Sequence, residues 1–305
     1  MRDHEVRFHQ AVAFLPTSQI LPMAKECDGL GYGGMYVSDH LFNPRRRTSR
    51  YTYSKAEDGA PGWEDHTAWP DPMAVIAACA GATENLLFTT GIYIAPLRDL
   101  MTVAKSVGTT AVLSDNRLRL GIGVGWNPVE YEALGPSFKD RGIRSEEQIA
   151  LLRELWAAPL VTFEGRWERV DNAGIKPRPA AGRIPVWLGG GSDRTLHRVA
   201  RIGDGWLPNA DPAKGAEMVE RLRGYARDAG RDPAGIGLEP RLNLATVPPA
   251  ERADYVAAWQ RLGATHLTVA TMGAGFATVD DHLGALETAL AGLRQAGLHN
   301  ATATG

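Results

Sequence analysis

The stretch RLRLGIGVGWNPVEYEALG, running from Arg117 to Gly135, decides how the chain is read. Leu118, Leu120, Ile122 and Val124 alternate with Arg119, Gly121, Gly123 and Gly125. That period of two predicts a β-strand. One face carries three glycines, each costing about 0.5–1 kcal/mol relative to a residue with a side chain. In a barrel, the leucines, Ile122 and Val124 would pack outward under helices, and Arg119 and the glycines would face the lumen. The bare face then either leaves a groove where a flat ring can lie against backbone, or makes way for large residues of neighbouring strands. The pattern alone allows both.

Working outward, short apolar runs alternate with helical patterns along the whole chain. Residues 7–15, 33–40, 86–94, 117–125, 184–190, 204–208, 236–244 and 265–271 are strand candidates. Helical patterns fall near 18–30, 72–83, 145–157, 193–202, 212–229, 249–262 and 278–296, and between them Leu100, Val103, Ala104, Val107 and Ala111 share one helix face. Ser145 and Gln148 are spaced as a capping box. Eight alternating βα units in 305 residues predict a (β/α)8 TIM barrel, with a doubly wound open sheet as the second choice. No Pro-, Gly- or Ser-rich linker divides the chain, so residues 1–305 are read as one domain. Two insertions, about 41–70 after strand 2 and about 159–183 after strand 4, are expected to rise toward the C-terminal rim, where barrel sites form. The second holds a hairpin pattern with Glu164-Gly165 at its turn.

Composition excludes several function classes. A net charge of −2 gives no basic surface for nucleic acid or an anionic membrane. The first residues, MRDHEVRFHQ, lack an apolar signal core, and no run of 18 apolar residues occurs, so a cytoplasmic protein is expected. Cys27 and Cys79 suit a reducing compartment. No metal is expected: His4 and His9 do not form an HxH pair, and HExxH is absent. There is no GxSxG elbow.

Three constellations carry chemistry. Asp39 and His40 end a strand, the position where barrel residues read as catalytic, and His40 exchanges a proton near neutral pH; its other reading is structural. Glu130 is a second proton-transfer candidate, or a first-turn acid favoured by its helix dipole. Gly189, Gly190, Gly191 and Ser192 open a helix whose N-terminal N–H groups suit a phosphate, and a plain tight turn with Ser192 as helix cap explains the same residues.

The segments GIGVGWNPVEYEALGPSFKDRG, EEQIALLRELW and VWLGGGS…ARIGDGWLP resemble the bacterial luciferase-like family, in its branch of F420-dependent (deazaflavin) oxidoreductases. The resemblance runs in register over nearly the whole chain. It implies a barrel with the cofactor ring in the lumen at the strand C-termini, and hence that glycines 121, 123 and 125 make room for ring and tail. It puts Asp39 beside the ring and gives His40 the acid/base role, with Glu130 near the reacting carbon. It implies a non-prolyl cis peptide at Gly91-Ile92 backing the ring. Gly123, Val124, Gly125 and Asn127 are assigned to the cofactor, and Gly189, Gly190, Gly191 and Ser192 to its phosphate. Tyr53, His66 and Trp69 fall in the variable substrate loop, and Arg98, Lys105 and Arg194 are candidates to meet a polyglutamate tail. A small-molecule substrate, a homodimer and hydride transfer at C5 are further implications. FMN-dependent monooxygenation in the same lumen is the alternative, and a non-catalytic flavin-binding barrel a further one.

Overall fold

The computed structural model describes residues 6–54 and 56–298, so His4 lies outside the described residues. Apolar alternation sets the strands: β1 (Arg7–Ala11), β2 (Gly34–Val37), β3 (Leu87–Thr90), β4 (Leu118–Ile122), β5 (Val161–Glu164), β6 (Arg169–Ala173), β7 (Val186–Gly189), β8 (Gly205–Leu207), β9 (Gly237–Leu238), β10 (Arg241–Asn243) and β11 (His266–Ala270). All but β5 and β6 pair in parallel in the order β10-β11-β1-β2-β3-β4-β7-β8-β9. β9 and β10 are two parts of one run, interrupted at Glu239-Pro240, where proline has no N–H to give to a ladder. β9 pairs with β8 and β10 with β11, while Thr265 donates to the Leu238 carbonyl and Thr268 to that of Pro240. The sheet therefore closes into a parallel barrel of eight strand positions, as the alternation predicted.

Helices α1 (Thr17–Leu30), α2 (Pro72–Ala80), α3 (Leu100–Leu113), α4 (Pro128–Leu134), α5 (Arg141–Ala157), α6 (Asp193–Ile202), α7 (Pro212–Asp228), α8 (Arg252–Arg261) and α9 (Val279–Gln295) accompany the strands. Leu118, Leu120 and Ile122 point outward into the core formed with Leu100, Val103, Ala104, Val107 and Ala111 of α3. Each buried leucine, isoleucine or valine among them contributes about 1.5–3 kcal/mol. Cys27 and Cys79 are buried and unpaired. No helix among the described residues is long and apolar enough to cross a membrane.

Two sequence expectations need correction. The Ser145–Gln148 pair is not a capping box: α5 begins at Arg141, and both side chains are buried inside the helix. The capping box lies at α9, where Thr278 and Asp281 exchange bonds. The segment 159–183 does sit between the fourth and fifth barrel strands, but it follows α5 and so starts away from the mouth. Its hairpin, β5–β6, packs along α5, where Glu147 accepts the backbone N–H groups of Arg166, Trp167 and Glu168 at 2.7–2.8 Å.

Candidate active site at the barrel mouth

β2 ends at Val37 and delivers Asp39 and His40 to the C-terminal end of the barrel. Asp39 is almost wholly buried and accepts three N–H groups: Arg98 Nη1 at 2.7 Å, Arg98 Nη2 at 2.9 Å and the Ile94 amide at 2.9 Å. Burial opposes the Arg98 charge, but the bond to Asp39 and its charge, with Tyr93 and Asp71, together outweigh it, and the pKa rises. The guanidinium also lies 4.1 Å from the centre of the Tyr93 ring. Arg98 is thus committed to the protein and is not a free cation for an anionic tail. Lys105 is unsuited too, since it bonds the Lys176 carbonyl beyond the hairpin.

His40 and Glu130 come together. His40 Nδ1 lies 3.1 Å from Glu130 Oε1, with the side chains 12% and 1% exposed. Asn127 builds this contact indirectly: its side chain caps α4 by accepting the Val129 N–H at 3.1 Å, fixing the turn that carries Glu130. Gly125, at φ 67°, makes the bend before it, a conformation that glycine adopts without Cβ strain. Val124, just past β4, accepts the Tyr131 hydroxyl through its carbonyl at 2.7 Å.

Around His40 stands a cluster of aromatic rings. Trp69 meets it edge-on at 4.8 Å and Trp63 lies at 5.2 Å, while Tyr51 bridges Trp63 at 5.0 Å and Trp126 at 5.1 Å. Tyr53 joins through Tyr51 at 5.6 Å, and Phe14 through Trp69 at 5.7 Å. The indole N–H groups of Trp69 and Trp126 are buried without a hydrogen-bond partner among the described residues. Of the three substrate-loop candidates, Tyr53 and Trp69 belong to this cluster. His66 does not: its side chain is 85% exposed and paired with Glu64. Tyr51, Trp63 and Phe14 are not among the sequence candidates; for Tyr51 and Trp63 the density of aromatics in 51–69 is the available signal.

Beneath the mouth, Ala11, Tyr36, Trp187, Leu207 and Ala270 form an apolar floor, with Ile92 and Met272 packed against it. The peptide Gly91-Ile92 is cis. Here the bare face of β4 receives its explanation, and it differs from the expected open groove. A Cβ on Gly121 would overlap the Thr90 carbonyl, and one on Gly123 or Gly189 would overlap the Ile92 side chain. Gly121 and Gly123 make room for neighbouring protein atoms, and Ile92, half-buried, is the surface those atoms present. Lower still, Glu239 accepts from Arg119, from His9 at 2.9 Å and from Thr268 at 2.6 Å, and Arg119 stacks on Trp187 at 3.9 Å.

A second feature of the rim is cationic. Gly190, at φ 116°, and Gly191 lead into α6, whose cap is Ser192: its Oγ accepts the Thr195 N–H at 3.2 Å. The hydroxyl therefore serves the helix, the second of its two readings. Arg194 is exposed at this helix start, and Arg141 opens α5 nearby. Burial first, then Arg198 and Arg194, push the Arg141 pKa down. Arg198 is neutralised by Glu146 at 3.0 Å, whereas neither Arg141 nor Arg194 has a carboxylate partner among the described residues. A helix N-terminus beside two unneutralised guanidinium groups favours an anion.

The profile of the luciferase-like monooxygenase family matches residues 6–302. An uncharacterized protein of Mycobacterium tuberculosis is 30% identical over 227 residues, covering 74% of this chain and 77% of its own. The F420-dependent glucose-6-phosphate dehydrogenase of Intrasporangium calvum is 32% identical over 195 residues, 62% of this chain and 52% of that one. In fold, an F420-dependent secondary alcohol dehydrogenase in complex with an F420-acetone adduct superposes with a TM-score of 0.76 at 16% identity, covering 95% of this chain and 99% of that one.

Proposed function

Because the chain belongs to the luciferase-like monooxygenase family, we propose that it is a deazaflavin-dependent oxidoreductase acting on a small alcohol or carbonyl compound. The observation that carries this reading is the His40–Glu130 pair at the barrel mouth. The F420-dependent relative supports the choice of cofactor.

The residues present fit such a group. The half-buried Ile92 and the apolar floor suit a flat ring, the unpartnered indole N–H groups of Trp69 and Trp126 suit carbonyl acceptors, and Arg141 and Arg194 suit a phosphate with an acidic tail. In this reading Gly189 to Ser192 approach the phosphate through backbone. When bound, the deazaflavin supplies or takes up a hydride at C5. The rest falls to the chain. A carboxylate accepts, so Nδ1 of His40 donates to Glu130 and Nε2 is left to exchange a proton with the substrate oxygen. Glu130 holds the ring and balances its charge when Nε2 is protonated. The aromatic cluster excludes water from this exchange.

Titrating the purified, cofactor-free protein with coenzyme F420 and with FMN tests the proposal, because three tryptophans at the mouth report binding by quenching. Tighter binding of the deazaflavin is expected. Equal or reversed affinities would transfer the function to the FMN-dependent monooxygenase class.

A further inference from the structure

Arg241, on β10, holds its guanidinium 5.3 Å from the centre of the Tyr36 ring, which belongs to the apolar floor. It is half-buried, and no carboxylate lies within ion-pair distance of it among the described residues. The nearest acid in sequence, Glu239, is fully engaged by Arg119, His9 and Thr268. A half-buried cation without a counter-charge is costly unless something else supplies one.

The groups around Arg241 share its polarity. Tyr51 and Tyr53, from the loop over the mouth, feel its charge, and neither hydroxyl has a hydrogen-bond partner among the described residues. Burial pushes the Tyr51 hydroxyl up to about 12, so it stays protonated and able to donate. This corner thus offers a fork of guanidinium N–H groups and two free O–H groups, with no acid facing them. Such a set fits a group that only accepts. The same Tyr51 ring touches Trp63, which touches His40, so one layer of aromatic surface joins this corner to the proton-exchanging residue.

We propose that the substrate carries a carboxylate, bound by Arg241 with the hydroxyls of Tyr51 and Tyr53, while its alcohol or carbonyl carbon lies toward His40. The substrate class is then a hydroxy acid or oxo acid with an apolar body. The inference rests on the oxidoreductase reading for the reacting end, but the carboxylate corner can be tested without it.

The test uses the whole, cofactor-free chain and titrates benzoate against its neutral isostere benzamide, followed by tryptophan fluorescence. Charge-assisted bonds to a guanidinium predict that benzoate binds at least about ten-fold more tightly. Arg241→Gln is expected to erase that margin, and Arg241→Lys to keep part of it. Arg169→Gln, on the exposed β5–β6 hairpin, is expected to leave it intact. If Arg241→Gln fails to fold, the Tyr51→Phe/Tyr53→Phe double variant should still narrow the margin. Equal affinity for the two probes in the unaltered protein overturns the proposal, as does a margin that survives Arg241→Gln or vanishes in Arg169→Gln. Deazaflavin titration of Arg241→Gln separates the two readings: unchanged cofactor affinity with a lost margin supports both. Absence of cofactor binding in every variant removes the oxidoreductase reading and leaves the carboxylate result standing.

Discussion

His40 and Glu130, ninety positions apart, share a hydrogen bond of 3.1 Å between Nδ1 and a carboxylate that is 1% exposed. One residue ends a strand and the other sits in the first turn of a capped helix, so the pair exists only in the folded barrel. His40→Ala should lower turnover by about 10²–10⁴-fold with little change in cofactor affinity, the range typical of a positioned proton-transfer group. Glu130→Gln keeps an acceptor for Nδ1 and should cost less than Glu130→Ala. The double variant His40→Ala/Glu130→Ala should be no worse than His40→Ala alone, because the two act as a unit. Additive losses would assign them separate tasks.

Asp39 is predicted to act through stability. Asp39→Ala leaves the Arg98 charge buried and unpaired, and should cost about 3–5 kcal/mol in chemical denaturation. The paired replacement Asp39→Ala/Arg98→Met should recover much of that loss, which a ligand-binding role for Asp39 does not anticipate.

Gly123→Val is expected to destabilise the fold by about 1–3 kcal/mol, because its side chain would overlap Ile92. Adding Ile92→Ala frees the space and should restore part of the stability. A valine that leaves the unfolding midpoint unchanged would show the lumen to be open at that point after all.

Acid should weaken the fold through the barrel interior. Burial, then Arg119, hold His9 below its ordinary value of 6.5 despite Glu239, and burial with Arg119 and His9 pulls His266 down to about 2. The unfolded chain therefore takes up protons below about pH 6.5 that the folded chain refuses, and stability falls with pH from that point. Burial would raise the Glu239 pKa, but Arg119 and His9 hold it below the usual carboxylate range. Its contribution is present above its ordinary 4.5 and disappears only at lower pH, as the depressed value is crossed. The first losses thus belong to the histidines. His9→Gln should flatten a plot of denaturation midpoint against pH between 6.5 and 5, by up to roughly 1.4 kcal/mol per pH unit for one proton.

Periodicity carried most of the architecture. Leu118, Leu120 and Ile122 faced the helices as read, and Arg119 faced the lumen, because a strand with one face under helices and the other in a barrel must alternate. Boundaries set by side-chain partners were less legible. Nothing local to Ser145 and Gln148 says that α5 starts a turn earlier, since the burial of both depends on neighbours remote in sequence. The residues of the candidate site divide the same way. Asp39, His40 and Glu130 stood out by type and position, but that His40 would meet Glu130 while Asp39 met Arg98 is a tertiary fact. The space beside Gly123 was read correctly as needed and assigned to the wrong occupant, because Ile92 enters it from another strand's end.

The charged layer of Arg119, Glu239 and His9, sealed by Trp187, has a kinetic consequence. It stoppers the barrel at one end, so the lumen is a cul-de-sac with a single doorway. Traffic through such a doorway queues: whatever lies deeper must enter first and leave last. Two ligands in this lumen are therefore predicted to bind in a compulsory order, the outer one free to come and go while the inner one waits behind it.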